Sequence, residues 1–89
     1  IILMNINELI AIVKNKLEME IVIQDLKIED KSFLHKNHKG HQEGKFHLKL
    51  IIKSEELTKL TKIASTKKVY SVLNIELKEY IHSIQIALN

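Results

Sequence analysis

The chain has 89 residues, enough for one small folded domain, and its hydrophobic content of 45% excludes general disorder. It contains no cysteine, which excludes a disulfide framework or a thiolate metal site built from this chain alone. The net charge is +3, and the basic residues are lysines spread along the chain, without any arginine. The absence of a basic cluster and of arginine argues against sequence-specific binding of nucleic acid.

No apolar run approaches the roughly 20 residues needed to cross a bilayer. Residues 1–3 are too few for the apolar core of a signal peptide. We therefore expect a soluble, cytoplasmic protein with no membrane association. Met4 is a candidate for the natural start, which would make residues 1–3 an upstream extension or an artefact.

The first third of the chain predicts a helix followed by a strand. Apolar residues recur at helical spacing from Ile6 to Leu17, and Asn5 with Glu8 has the pattern of an N-terminal capping box. From Met19 to Glu29 apolar residues recur at every second position, at odd-numbered positions up to Ile23 and at even-numbered positions from Leu26. This change of phase predicts a strand with a bulge or turn near Gln24–Asp25.

The remaining elements follow a polar loop over residues 30–45. Alternating apolar residues from Phe46 to Lys53 predict a strand with one buried face. Ser54 is a candidate N-cap for a helix with the apolar stripe Leu57, Leu60 and Ile63. Residues 64–66 indicate a break or a second helix cap, residues 67–79 a further helix and residues 81–88 a final strand.

The expected fold is a single small α+β domain over residues 1–89, in the order α-β-β-α-α-β. In a three-stranded sheet with helices on one face, Leu48 and the alternate residues on its side would be buried. His47, Lys49 and Gln85 would lie on the other face. This connectivity resembles the type II K-homology (KH) fold. The Gly-x-x-Gly loop with which KH domains clamp nucleotides is absent between the two adjacent helices.

Histidines are the candidate site residues, because neutral imidazole is a common ligand of transition metals. The loop presents His35, His38 and His41 at three-residue spacing, which fits either metal ligands or a solvated polar loop. His82 alternates in step with the apolar residues of the last strand, so its ring is expected on the helix side of the sheet. There it could be a metal ligand or form a hydrogen bond with a backbone carbonyl. We interpret His47 as a surface residue.

Other functions find little support in the sequence. No serine lies in a Gly-x-Ser-x-Gly setting, and no glycine-rich loop could cradle a phosphate, so we do not expect an enzyme. Lys67 and Lys68 fit a solvated surface or a contact with an anionic partner.

Residues 30–86 resemble the BolA family. The motifs that carry the resemblance are Asp30-x-Ser32-x-x-His35-x-x-His38-x-Gly40, then His47-Leu48-Lys49-Leu50-Ile51-Ile52-x-Ser54, Val69-Tyr70-x-x-Leu73 and Ile81-His82-Ser83-Ile84-x-Ile86. The chain departs from the family at Leu48, where phenylalanine is usual, and at Leu57-Thr58-Lys59, where the family has Phe-x-Gly. The family's Arg-His-Arg reads Ser65-Thr66-Lys67, which removes arginines on which nucleic-acid contacts would depend.

The resemblance implies a non-enzymatic partner of monothiol glutaredoxins in iron–sulfur trafficking or iron regulation. The two proteins would share a bridging [2Fe–2S] cluster, with sulfur from the glutaredoxin cysteine and glutathione and an imidazole from His82. His35 matches the position of the second ligand in the family, and His38 is the alternative.

Two alternatives remain open at this point. The first is a KH-like DNA-binding regulator that uses Lys67 and Lys68, a role also attributed to the family. The second is a loop that binds divalent metal loosely. When alone, the chain is expected to be a monomer or a weak homodimer.

Overall fold

The structure, a computed structural model, describes residues 4–32 and 45–89. In these residues the elements are α1 (Ile6–Glu20), β1 (Asp25–Asp30), β2 (Phe46–Lys53), α2 (Glu55–Thr58), α3 (Lys62–Val72), α4 (Asn74–Glu79) and β3 (Ile81–Leu88). Residues 1–3 and 33–44 lie outside the described part, and so do the predictions for His35, His38 and His41. None of the described helices is long and apolar enough to cross a bilayer.

The three strands form one sheet in the order β1-β2-β3. β1 runs antiparallel to the central strand, whereas β3 runs parallel to it, after a connection through the three later helices. Leu50 marks the middle of the sheet, since it pairs with Ile28 on one side and Ile86 on the other. The predicted α+β class with a three-stranded sheet is confirmed.

The core lies between the helices and one face of the sheet. Leu48, Leu50 and Ile52 of β2 belong to this face and are at most 2% exposed. Completely buried residues from the helices and from the α3–α4 junction are Leu9, Val13, Leu17, Leu57, Val69 and Leu73. Because complete burial of one such side chain contributes about 1.5–3 kcal/mol, the alternation in β2 decides which face of the sheet carries the helices.

α1 is longer than predicted, and it replaces the expected start of the first strand. The helix runs to Glu20, and β1 begins only at Asp25. The buried helical stripe continues from Leu17 to Ile21, which is 3% exposed, while Met19 between them is 82% exposed. The strand interpretation of residues 19–23 was wrong, because a spacing of four residues at the end of a helix also looks like alternation.

The segment between α1 and β1 is fixed by side chains from the start of α2. The Val22 N–H donates a hydrogen bond to Glu56 Oε1 at 3.2 Å, and the Val22 carbonyl accepts one from Ser54 Oγ at 2.7 Å. Gln24 adds two more bonds, since its N–H donates to the Lys53 carbonyl and its side chain accepts from Glu55 N–H. These bonds take the place of the strand pairing that was predicted here.

The helices after β2 also break at a different place. α2 ends at Thr58, and Thr61 caps α3 by accepting a hydrogen bond at 3.1 Å from the backbone N–H three residues later. The predicted break at residues 64–66 was wrong. Ser65 lies within α3, where its hydroxyl donates to the Lys62 carbonyl at 3.0 Å instead of capping a helix.

This shift changes which apolar residues are buried. Leu57 is buried as predicted, but Leu60 is 40% exposed and Ile63 is 70% exposed. The predicted helix over residues 67–79 is divided at Leu73, whose φ of −99° and ψ of 21° depart from α-helical geometry. The outer surface of α2 and α3 is therefore more apolar than expected.

One ion pair joins α1 to α4. Lys16 Nζ lies 2.6 Å from Glu76 Oε2, and Glu76 is only 4% exposed. A buried carboxylate is costly unless a cation and hydrogen bonds compensate it, so Lys16 helps to hold this side chain in place.

We expect Ser54→Ala to destabilise the fold by about 1–3 kcal/mol, because the 1% exposed hydroxyl both caps α2 through Leu57 N–H and donates to Val22. Denaturant unfolding measures the loss. Ser71→Ala, an exposed position on α3, serves as the matched control. Equal stabilities of the two variants would show that the Ser54 bonds contribute nothing.

The pKa of Glu56 lies below its ordinary value of 4.5, chiefly because the Lys68 side chain donates a hydrogen bond to the carboxylate and the Val22 N–H donates another. A carboxyl with a lowered folded-state pKa stabilises the fold above its unfolded-state pKa, and this contribution disappears as the pH falls through the folded-state value. We expect Glu56→Gln to be less stable than the parent near neutral pH and to lose less stability on acidification.

Urea unfolding at about pH 7 and about pH 3 measures this difference. Glu18→Gln, on the exposed surface of α1, is the control and should follow the parent protein at both pH values. A Glu56→Gln protein that loses as much stability as the parent on acidification would contradict the assignment.

Candidate functional site

A bulge near the start of β3 sets the position of His82. Phe46 pairs with Ile81, but the next pair is His47 with Ser83, so His82 is one extra residue between two registered pairs. Ile81 is 1% exposed, whereas His82 is exposed. Bulges are uncommon between parallel strands and frequent beside functional sites, where they redirect a side chain.

His47 was predicted as a plain surface residue, and this was wrong. The residue is 5% exposed, although it lies on the sheet face opposite the helices. Its Nδ1 is hydrogen-bonded to Ser83 Oγ at 2.7 Å, its N–H donates to Ser32 Oγ at 3.1 Å, and its carbonyl accepts from Lys31 N–H at 2.7 Å. Both the ring and the backbone of His47 are therefore fixed.

The two histidine rings are neighbours. Their centroids are 4.9 Å apart, and the ring planes are inclined by 48°. His82 therefore lies against a residue of the open face, and the prediction that its ring points toward the helices was wrong. The bulge is the cause, because it ends the simple alternation on which that prediction depended.

The described residues that flank positions 33–44 are held at this end of the sheet. Before the segment, Ser32 bonds to the backbone of His47. After it, Phe46 N–H donates to the Tyr80 carbonyl at 2.9 Å, two residues before His82.

The described residues offer imidazoles but no closed metal site. Among residues 4–32 and 45–89, no group of three or more His, Cys, Asp or Glu side chains converges in a way that could hold a metal ion. Two imidazoles 4.9 Å apart can reach one ion, because metal–nitrogen bonds of about 2 Å bring both rings close to it. Any such site needs further ligands from outside the described residues.

The open face beside His47 is basic. Burial acts to raise the pKa of Glu29, but the charges of Lys31, Lys27 and Lys49, with a hydrogen bond from Lys31, outweigh it and hold the pKa below its ordinary value of 4.5. Two of these lysines are neighbours of His47. Lys31 donates its backbone N–H to the His47 carbonyl, and Lys49 follows His47 by two residues on β2. Lys27 Nζ and Lys31 Nζ lie 3.6 and 3.5 Å from the Glu29 carboxylate, so Glu29 compensates part of the positive charge of the three lysines.

The lysines named for nucleic-acid binding differ in their surroundings. Lys67 is exposed on α3, but Lys68 Nζ lies 2.6 Å from Glu56 Oε2 and is partly buried. Of the two, Lys67 is the better placed to contact a phosphate.

His47 is the residue that sequence reasoning missed. Its alternation with Leu48 correctly placed it on the open face, but nothing in the sequence marks the bulge that brings Ser83 and His82 over its ring. Serines at positions 32 and 83 are the only sequence signals that could have indicated bonding partners.

Taken together, the fold and the histidine pair define a small α+β domain with a mixed three-stranded sheet and a candidate ligand site at one end of it. A family model described as BolA-like protein matches residues 17–89. The chain therefore belongs to the BolA-like family, and the resemblance drawn from the sequence motifs is confirmed.

Individual relatives agree with this assignment. The DNA-binding transcriptional regulator BolA of Haemophilus influenzae is 30% identical over 77 residues, which cover 86% of this chain and 72% of the relative. The BolA domain of SufE1 from Arabidopsis thaliana superimposes with a TM-score of 0.76 at 27% identity, over 97% of this chain and 93% of that domain. BolA1 from Arabidopsis thaliana gives a TM-score of 0.74 at 27% identity, over 89% and 87% of the two chains.

Proposed function

We propose that this protein is a non-enzymatic adaptor that binds a monothiol glutaredoxin and shares a bridging [2Fe–2S] cluster with it, in iron–sulfur trafficking or iron regulation. The observation that supports this proposal is the exposed imidazole of His82 on a bulge beside His47, at the end of the sheet where the histidine-bearing segment is attached.

The ligand chemistry fits a shared cluster better than a self-contained one. The chain has no cysteine, so it can offer imidazole nitrogen but no thiolate. Glutaredoxin cysteine and glutathione would supply the sulfur ligands, and His82 would supply nitrogen, with a second nitrogen from His35 or, in reserve, His38. Clusters with two histidines on one iron are known from Rieske centres and have raised reduction potentials.

Charge also supports the proposal. A [2Fe–2S] cluster with its thiolates is anionic, and glutathione carries carboxylates. Lys27, Lys31 and Lys49 outnumber Glu29 on the open face, and the remaining positive charge favours such a group. The fixed ring of His47, bonded to Ser83, gives His82 a rigid neighbour, which is the kind of outer support that orients a ligand.

We expect His82→Ala to remove the histidine-type visible absorption and circular dichroism of the mixed complex, because the exposed imidazole would no longer reach the iron. His82→Cys should keep a cluster but lower its reduction potential, since thiolate replaces nitrogen. The measurement mixes each variant with a cluster-loaded monothiol glutaredoxin and glutathione.

Gln85→Ala, an exposed position further along β3, is the matched control and should give the parent spectrum. A parent spectrum from His82→Ala would remove His82 from the site. In the same assay we expect His35→Ala to change the spectrum and His38→Ala to leave it unchanged. His47→Ala should change the spectrum less than His82→Ala, because His47 supports the ring of His82.

DNA-binding regulation is the second candidate function, favoured by the name of the Haemophilus influenzae relative and by the exposed Lys67 on α3. On this alternative, Lys67→Ala should weaken binding to duplex DNA and reduce the slope of log affinity against log salt by about 1. Lys14→Ala, exposed on α1, is the control of equal charge change. Equal salt slopes for the two variants would exclude Lys67 as a phosphate contact.

A further inference from the structure

The outer edge of β3 has the features of a pairing edge. In the order β1-β2-β3, no other strand of residues 4–32 or 45–89 pairs with this edge. The eight residues of β3 include no proline, lysine or carboxylate, whereas four of the six residues of β1 at the opposite edge are charged. Charged edges resist the addition of a further strand, so β3 is the edge at which a strand can be added.

A groove lies beside this edge, on the helix side of the sheet. It has a volume of about 410 Å³ and lies between the end of β3, at Ile86 and Leu88, and the α2–α3 region, at Leu60, Lys62 and Thr66. Leu60 is 40% exposed because the helix breaks after Thr58. Since alternate residues of a strand point to the same side, every second side chain of an added strand would enter this groove.

Lys62 is the charged residue that lines the groove. Residues 57–75 include four lysines and no aspartate or glutamate. Lys68 is paired with Glu56, but Lys62 and Lys67 are exposed on α3. Lys62 lines this groove and also an adjoining apolar depression that contains Lys67, so the basic surface is continuous with the groove.

We propose that β3 and this groove bind an extended, acidic segment of a partner protein by strand addition, with apolar side chains in the groove and carboxylates beside the lysines. A second copy of this chain fits less well, because it would bring two basic surfaces together. The open main-chain edge favours a peptide over nucleic acid, and so do Leu60, Ile86 and Leu88 in a groove that also presents threonine and serine hydroxyls.

This site is separate from the histidine pair. Ile86 and Leu88 follow His82 by four and six residues, which corresponds to about 13–20 Å along the strand. The groove contacts centre on Ile86 and Leu88, so the proposal does not depend on cluster binding at His82.

The test uses fluorescein-labelled peptides of about eight residues, the usual strand length, in which glutamate and valine alternate. Two further versions carry N-methyl groups on alternate residues, one in each parity. Because an added strand pairs through one edge only, we expect one methylated version to bind about tenfold more weakly and the other to bind like the parent peptide. Fluorescence anisotropy measures affinity, and amide chemical shifts should change along β3.

Protein variants test the charge. Lys62→Glu should weaken parent-peptide binding about tenfold, while the control Lys14→Glu should change it by less than about twofold. Four results would each overturn the proposal: no peptide binding at concentrations on the order of 1 mM, equal effects of the two methylated versions, tighter binding of single-stranded DNA at the same salt, or a protein dimer that competes with the peptide.

Discussion

Leu50 and Ile86 pair at the centre of the sheet, and their burial against the helices determines the direction of the other side chains in β2 and β3. A sheet with one buried face allows only one register, since a slip by one residue would expose the core residues to solvent. The open face is thereby fixed too, and with it the position of His47. The single departure from this register is the extra residue at His82, which places an exposed imidazole against a fixed one.

The two ends of the molecule are held by different kinds of contact. At the end of β2 that leads into α2, Ser54 and Glu56 bind the backbone of Val22, so that α1, β1 and α2 meet in one hydrogen-bonded corner. At the other end, Ser32 and Ser83 bind His47. The first set of contacts supports the fold, whereas the second arranges side chains that have the chemistry of metal ligands. This separation is consistent with an adaptor whose reactive groups lie at the rim of a stable sheet.

Much of the fold could be predicted because its strongest signals are local. The alternation in β2 and the serine cap after it depend on neighbouring residues and were read correctly. The signals at residues 19–23 and 61–66 were ambiguous, since Met19 and Ile21 fit both periods and both Thr61 and Ser65 can cap a helix. His47 could not be predicted as part of a pair, because the bulge arises from how β3 meets β2 and leaves no mark in either strand alone. The contributions of His35 and His38 stay predictions.

The bulge has an evolutionary implication. Because position 82 lies outside the regular succession of paired residues, its side chain fills no place in the hydrophobic layer and is not required for the ladder between the strands. Substitutions there can change the chemistry of the exposed side chain without removing a residue of the buried core. Related domains could therefore acquire, exchange or lose a donor atom at this point without compensating changes elsewhere in the chain.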